Sequence, residues 1–242
     1  MEHKAQTARQ RARQEITREI LGAARTRLSS AGPGELSLRA VARDVGMVSS
    51  AVYRYFPSRD ELLTALLIEA YDELGQAAED ADDAIVDRSD AEARWMATCR
   101  ATREWAVAHP HDYALLYGSP VTGYAAPPDT VAPATRVIVR LATIAMTAAP
   151  DRWPAPPPSA HPFDDAVRGA AEAMASFGGP VSEETPPEVV GRTLMAWSTI
   201  FGSISFELWG HLVGSVGDHE AYFDAVASRL WADLTATWQS VE

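Results

Sequence analysis

Apolar residues recur every three or four positions along almost the whole chain, a spacing that places them on one face of an α-helix. No segment alternates apolar and polar residues in the manner of a half-buried β-strand. The pattern therefore predicts an all-α protein. The predicted helices cover residues 13–30, 38–45, 49–56, 59–79, 90–108, 111–117, 131–149, 163–177, 186–214 and 219–239.

The helical pattern is interrupted by two stretches rich in Pro, Gly or both, residues 118–130 and 149–162, which we interpret as surface connections. Neither stretch is long enough to require a further domain. A capping-box pattern, in which Ser58 precedes Glu61 by three residues, marks the start of a long helix. We therefore predict one division, between an N-terminal domain of residues 1–58 and a larger helical domain of residues 59–242.

Two short helices and a glycine turn form a predicted helix-turn-helix near the N-terminus. Ser37 is placed to cap helix 38–45, and Gly46 permits the left-handed backbone of a tight stop. Helix 49–56 follows at once, and a second helix in this position can enter the major groove of DNA. The longer helix 13–30 supplies an apolar stripe that braces the pair, made by Ile16, Ile20, Leu21, Ala24 and Leu28.

Charge is divided unevenly along this acidic chain, whose formal net charge is −12. Residues 1–56 hold ten Lys or Arg against five acids, whereas the rest of the chain holds 11 basic and 28 acidic residues. Salt screens charges beyond about 8 Å at physiological ionic strength, so a basic N-terminal region can bind phosphate although the rest of the chain is acidic. The charge pattern therefore favours nucleic acid as the partner of the N-terminal domain.

The stretch SLRAVARDVGMVSSAVYRYFPSRDELL, residues 37–63, resembles the DNA-binding signature of the TetR family of bacterial transcriptional repressors. Val48 and Ser49 depart from it, because family members commonly carry a Ser or Thr cap followed by a basic residue or Pro. A helix start at Ser49 is the alternative for this turn, and the operator sequence cannot be carried over. The residues that the resemblance places on DNA are Ser37, Arg39, Ser49, Ser50, Tyr53, Arg54, Tyr55 and Arg59.

The resemblance also implies a role for each type of contact residue. The two tyrosines would bind phosphates, the serines of the second helix and Arg54 would lie at or near the groove, and Ser37 with Arg39 would hold the DNA backbone. The alternative for Tyr53 and Phe56 is a place in the small core, which we favour for Phe56. The alternative for the arginines is a solvated surface charge, which fits Arg43 best.

The larger part of the chain, beyond residue 90, contains all seven tryptophans and resembles, more weakly, a TetR domain class named for a Trp-His-Gly signature. Trp197 and Gly202 match that signature, and Phe201 replaces its His. An apolar pocket for a small-molecule effector is expected in this part, with Arg103 orienting an acidic group; ordinary core packing is the alternative for each aromatic residue. The proposed lining is Trp95, Cys99, Arg103, Tyr113, Tyr117, Met146, Trp197 and Phe201.

The last two predicted helices, 186–214 and 219–239, carry more large apolar residues than one buried stripe requires. A surplus of this kind predicts a partner surface, and two helices from each of two subunits would form a four-helix interface. The alternative is burial within one protomer. The surplus residues are Trp209, Leu212 and Trp231, beside stripes of Val190, Leu194, Trp197, Phe201, Ile204 and Leu208 and of Phe223, Val226, Leu230, Leu234 and Trp238.

The function that fits these features best is a homodimeric repressor that binds a palindromic operator and is released by a small-molecule effector acting through helix 59–79. An enzyme is the first alternative, resting on His109, His111 and Asp112 and on His211 near Glu207. No third metal ligand has a recognisable spacing, so we expect neither catalysis nor a cofactor or metal. An all-α protein-interaction module, the second alternative, predicts no DNA binding.

Membrane and export signals are not found in the sequence. No run of about 18 apolar residues occurs, and the N-terminus lacks the apolar centre of a signal peptide. The single cysteine, Cys99, cannot form an internal disulfide, which fits a reducing compartment. We therefore expect a cytoplasmic protein without a membrane partner.

Overall fold

The structure is a computed structural model that describes residues 8–148, 163–176, 178, 179, 181 and 185–235. These residues form ten α-helices and three short 3-10 segments, and they contain no β-strand, which confirms the all-α prediction. The helices are α1 Ala8–Ala31, α2 Leu38–Asp44, α3 Ser49–Val52, α4 Arg59–Asp83, α5 Ala91–Ala108, α6 Pro110–Tyr117, α7 Val131–Thr147, α8 Arg168–Ser176, α9 Pro187–Leu208 and α10 His219–Thr235.

Helix α9 ends six residues earlier than the sequence pattern predicts. Gly210 has a φ of 75°, the left-handed backbone that glycine adopts without steric cost. The N–H of His211 donates to the carbonyl of Phe206 over 2.9 Å, and the N–H of Gly210 donates to that of Glu207 over 3.2 Å. This pair of bonds is a Schellman motif, which satisfies the last carbonyls of a helix and stops it.

Other helix ends also differ from the prediction. Helix α1 begins at Ala8 instead of residue 13, and α4 continues to Asp83 instead of residue 79. The predicted helix 163–177 is a 3-10 segment followed by α8. The predicted Pro-rich connection 149–162, residues 236–239 of the last predicted helix and Trp238 lie outside the described residues.

The described residues form two compact units, one within residues 1–70 and 111–130 and one within residues 71–110 and 131–242. The predicted boundary between residues 58 and 59 differs from this division, because the first turns of α4 belong to the first unit. Leu62 and Leu66 of α4 are buried in the core of that unit.

The core of the first unit is built by α1, α2, α3 and the start of α4. Val41 and Val52 are fully buried there, and each such side chain contributes about 1.5–3 kcal/mol relative to an exposed one. Residues 111–130 join this core through partly buried apolar side chains, and the Tyr124 hydroxyl lies 2.8 Å from that of Thr64. These contacts between residues distant in the sequence make the helix-turn-helix part of a larger packed unit.

The second unit packs α5, α7, α9 and α10 together. Trp95 of α5 is fully buried, its ring centroid lies 5.8 Å from that of Trp231, and its Nε1 donates to the carbonyl of Ala227 over 3.0 Å. The burial of Trp231 corrects its assignment to the surplus of surface residues, because α5 covers it. No helix in the described part of the chain is long and apolar enough to cross a membrane.

A buried carboxylate joins three elements of the second unit. Asp82 of α4 has no exposed surface and accepts hydrogen bonds from Arg94 of α5 over 2.7 and 3.1 Å. Arg88, in the connection between α4 and α5, and Arg140 of α7 also donate to Asp82, each over 2.9 Å. Burial raises the pKa of Asp82, but the bonds from Arg94 and Arg88 outweigh this effect and hold the pKa below its ordinary value.

Candidate nucleic-acid interface

The helix-turn-helix has the two helices and the turn that its sequence predicts, but the second helix, predicted over residues 49–56, ends at Val52. The Oγ of Ser37 accepts a bond of 3.3 Å from the N–H of Ala40, so Ser37 caps α2. Gly46 takes a φ of 65° after α2, and the N–H of Met47 then donates to the carbonyl of Ala42 over 2.9 Å. These contacts end α2 within one turn, so that only the four residues 45–48 separate α2 from α3.

Helix α3 begins at Ser49, as one of the two alternatives for this turn predicts. Val48 precedes it in an extended conformation, makes no side-chain cap and is 71% exposed. Ser50 is exposed and Ser49 is half-buried, while the fully buried Val52 holds the helix to the core. The short helix therefore presents its first residues to solvent without a side chain covering them.

The aromatic residues after α3 divide between surface and core. Tyr53 is 43% exposed, so the core alternative for this residue is wrong. Phe56 is buried in the core of the first unit, which confirms its predicted structural role. Tyr55 is half-buried, and the guanidinium of Arg13 lies 5.3 Å from its ring centre. The contact of Arg13 with Tyr55 is one that the sequence pattern did not identify.

The two candidate DNA-binding arginines of the helix pair are open to solvent. Arg39 and Arg54 are exposed, and the side chain of neither forms an ion pair or hydrogen bond with another residue that the structure describes. Arg27, in contrast, is held by both carboxylate oxygens of Asp44, and this bond lowers the pKa of Asp44. Because no described carboxylate pairs with Arg39 or Arg54, these two side chains are available for an anionic partner.

Arg59 has a structural contact that the sequence did not predict. Its Nε donates to the carbonyl of Leu36 over 3.1 Å, and its Nη1 lies 3.7 Å from Asp60. This side chain ties the start of α4 to the segment before α2. A phosphate contact by Arg59 stays a prediction, and it would share the guanidinium with these partners.

The eight residues predicted to line the effector pocket are distributed over both units. Tyr113 and Tyr117 belong to the first unit, where their ring centroids lie 5.1 Å apart. The other six belong to the second unit. Among these, Trp95 and Cys99 are fully or almost fully buried and Met146 is half-buried. Their common role in one pocket stays a prediction.

Arg103 is already paired within the second unit. Its Nε and Nη2 donate to the two carboxylate oxygens of Glu207 over 2.8 and 2.6 Å, and the ring centre of Phe223 lies 5.9 Å away. The bond to Glu207 raises the pKa of Arg103. An acidic effector that used Arg103 would therefore compete with an internal carboxylate.

Trp197 offers a polar group that has no protein partner among the residues that the structure describes. Its ring lies against the cluster containing Ile138 and Val190, and the centroid of Phe201 is 5.6 Å away. The indole Nε1 is buried, and no described residue accepts a hydrogen bond from it. A buried N–H without an acceptor is costly, so a ligand acceptor at this position would remove an existing penalty.

The histidines behind the enzyme alternative have structural neighbours. His109 stacks on Trp105 with ring centroids 5.0 Å apart, and its Nδ1 lies 2.9 Å from the Trp105 carbonyl. His211 packs 5.1 Å from the ring of Phe206. The described residues contain no group of three His, Cys, Asp or Glu side chains that could hold a metal ion.

One face of α9 and the turn after it exposes large apolar side chains. Phe206 is 53% exposed and Val213 is 77% exposed. Gly202 lies between the apolar residues, and a Cβ built there would meet no atom within 4 Å. Within α9, steps of four, three and four residues place Met195, Thr199, Gly202 and Phe206 on one side of the helix, and Trp209 and Val213 follow at and beyond its end. We call it the α9 stripe: Met195, Thr199, Gly202, Phe206, Trp209 and Val213.

Comparisons with known proteins agree with this arrangement. A family model described as bacterial regulatory proteins, tetR family, matches residues 20–66, and one described as tetracyclin repressor-like, C-terminal domain, matches residues 95–230. The HTH-type transcriptional regulators Rv1816 of Mycobacterium tuberculosis and Mb1846 of Mycobacterium bovis are each 39% identical to the chain over 237 residues. Each alignment covers 93% of this chain and 95% of the relative.

Solved structures show the same fold. The structure of the putative regulatory protein SCO4313 is similar with a TM-score of 0.73 and 28% identity, covering 93% of this chain and 98% of that one. A TetR family transcriptional regulator, PfmR from Thermus thermophilus, has a TM-score of 0.53 and 16% identity, covering 88% of this chain and 96% of that one. The second comparison supports the fold alone.

Proposed function

Because this chain belongs to the TetR family of bacterial transcriptional regulators, we propose that it is a homodimeric repressor that a small-molecule effector releases from a palindromic operator. It is a regulator and not an enzyme. The observation that carries the proposal is the pair of exposed arginines, Arg39 and Arg54, beside the exposed ring of Tyr53. Cationic forks and phenol hydroxyls on a helix-turn-helix are suited to duplex phosphates and base edges.

Binding to DNA from the protein's own promoter tests this role. Arg39→Ala is expected to weaken binding at least several-fold on every sequence, because a phosphate contact carries no base information. Arg43→Ala is the matched control, since it removes the same charge from the same helix at a position interpreted as surface. Ser50→Ala should instead change base preference. Equal losses in Arg39→Ala and Arg43→Ala would contradict the assigned interface and leave only a general charge effect.

The α9 stripe supports the dimer. Gly202, one turn before the exposed Phe206, allows a second helix to approach closely, and isologous contact between two copies would bury the exposed apolar side chains. Phe206→Glu is expected to give monomers at micromolar concentration in sedimentation, while Val86→Glu, at a 96% exposed residue that is not part of the stripe, should leave the dimer intact. A monomeric wild type would refute this part of the proposal.

A two-fold dimer requires a symmetric operator. We expect half-site centres about one helical turn apart, or slightly more, and a footprint with the same symmetry. An asymmetric footprint on a single bound dimer would argue against the palindrome. Operator binding of this kind takes place in the bacterial cytoplasm, which is the location we propose.

For the effector, we propose a small and largely apolar molecule with a hydrogen-bond acceptor for the Nε1 of Trp197. We also propose that the C-terminal domain belongs to the Trp-His-Gly class, with Phe201 in place of its His. Helix α4 carries residues of both units and would transmit the signal. A coupling of about 5- to 150-fold between effector and operator is typical of such switches and must be reciprocal. Calorimetry of a hit from a thermal-shift screen, with and without operator, tests this: equal affinities would exclude the coupling.

A further inference from the structure

The first two turns of α1, residues 8–15, extend beyond the core of the first unit. Every one of these residues is exposed, and Ile16 is the first residue of α1 that packs against the core cluster. At a rise of 1.5 Å per residue the segment is about 12 Å long. We call residues 8–15 the basic arm, because it contains three arginines and a single acid, Glu15.

The arginines of α1 lie on two different sides of the helix. Residues 9, 13, 16 and 20 follow one another in steps of four, three and four, so Arg9 and Arg13 continue the side that Ile16 and Ile20 turn toward the core. Arg11 lies two residues from each of them, about 200° around the helix, and Arg18 shares the side of Arg11. Two arginine pairs of equal charge therefore differ in direction.

The side of Arg9 and Arg13 is continuous with the helix-turn-helix. The guanidinium of Arg13 lies 5.3 Å from the ring centre of Tyr55, a residue assigned to phosphate by family resemblance. The Tyr55 ring attracts the Arg13 guanidinium and positions it, while the N–H groups at the edge of the guanidinium remain available as donors. The side chains of Arg9, Arg11 and Arg18 form no ion pair or hydrogen bond with any residue in the described part of the chain.

We infer that Arg9 and Arg13 bind the phosphates of duplex DNA that flank the base pairs contacted by α3. Uncompensated guanidiniums next to a DNA-binding helix are complementary to a polyanion, and their planar forks suit phosphate oxygens. The contact supplies affinity without base choice, and it makes binding more dependent on salt. This inference rests on DNA binding by the helix-turn-helix, and it adds a contact that neither α2 nor α3 makes.

Salt dependence measures such contacts directly. Each neutralised phosphate contributes about 0.9 to the slope of log affinity against log salt concentration. Two arginines in each protomer of a dimer therefore account for a slope of about 3 to 4. The loss of affinity is expected to be at least about tenfold at low salt and to shrink as the salt concentration rises.

The experiment compares two double variants of the full chain, Arg9→Ala with Arg13→Ala and Arg11→Ala with Arg18→Ala, on the same promoter duplex over a range of salt concentrations. Both remove the same charge from exposed positions of α1. The first pair should lower the slope by about 3 to 4, whereas the second should lower it by less than about 1. A wild-type slope in the first pair, or equal slopes in both pairs, overturns the inference.

A third variant separates the arm from the tyrosine beneath it. Tyr55→Phe keeps the ring under Arg13 and removes only an uncharged hydroxyl, so it is expected to lower affinity without changing the salt slope. A slope change as large as that of the arginine pair would contradict the assigned roles. Wild-type protein that fails to bind its own promoter would refute DNA regulation itself. This outcome is distinct from a wild type that binds the promoter while the loss of Arg9 and Arg13 has no effect, which refutes the role of the basic arm alone.

Discussion

A single added methyl group at Gly75 tests how α7 is fastened to α4 within the second unit. Arg136 of α7 lies across α4 at this glycine and uses all of its guanidinium nitrogens as donors. Its Nε and Nη2 donate to Glu79 over 2.9 and 2.6 Å. Its remaining donors reach the carbonyl and carboxylate of Asp72, over 2.9 and 3.0 Å, and the side chain of Gln76, over 3.1 Å.

Gly75→Ala would place its Cβ 2.7 Å from the Nε of Arg136 and 2.8 Å from its Cβ and Cδ. Carbon atoms pack best at about 3.5–4.0 Å, so Arg136 has to move. Its Cβ is fixed to the backbone of α7, and rotation of the guanidinium alone cannot relieve that contact. Overpacking of this kind costs about 1–3 kcal/mol, against a gain of about 0.5–1 kcal/mol from replacing a helical glycine.

The matched control is Gly22→Ala in α1, because a Cβ at Gly22 meets no atom within 4 Å. The same chemical change is expected to stabilise the protein by about 0.5–1 kcal/mol there and to destabilise it at Gly75. Urea unfolding followed by circular dichroism gives the order of the midpoints. If Gly75→Ala is as stable as Gly22→Ala, the close fit of Arg136 on α4 is wrong. An Arg136→Ala background removes the contacts with Nε and Cδ but keeps the one with Cβ, so only part of the penalty at Gly75 should be lost.

The other predictions concern buried groups of the second unit. Asp82→Asn is expected to destabilise the protein by about 3–5 kcal/mol, because Arg94 stays buried without its charged partner. Asp83→Asn, which changes an exposed carboxylate, should cost less than about 1 kcal/mol in the same unfolding assay. Since the pKa of Asp82 is lowered in the folded state, the ionised carboxylate adds to the free energy of unfolding above about pH 4, and this stabilisation is lost as the pH falls through the pKa of the folded state. If the free energies of unfolding of the wild type and of Asp82→Asn change in parallel below about pH 4, this prediction is wrong. Burial raises the pKa of Cys99, so a thiol reagent at about pH 8 should label it only after unfolding; rapid labelling of the native protein would show that the site opens.

The parts of the structure that the sequence predicts well are those set by neighbouring residues. The cap at Ser37 and the left-handed Gly46 act within one turn of α2, and their consequences can be worked out without knowing the rest of the chain. The end of α9 was predicted wrongly although Gly210 is visible in the sequence. Apolar residues continue to Leu212, and periodicity alone favoured a longer helix.

Contacts between distant residues could not be predicted in this way. Glu207 lies 104 positions after Arg103, and no local pattern indicates that these two side chains pair. The same holds for Arg140 and Asp82, which are 58 positions apart. Arginines beyond residue 90 look equally free in the sequence, and only the folded chain shows which of them already have carboxylate partners.

The buried Asp82 also limits how α4 can move. Breaking a buried ion pair by removing a partner costs about 3–5 kcal/mol, while an effector typically supplies about 1–3 kcal/mol of coupling. An effector therefore lacks the energy to slide the last turns of α4 past α5 and α7. These three helix segments should respond as one rigid block, and a signal that travels along α4 has to arise from displacement of that block as a whole.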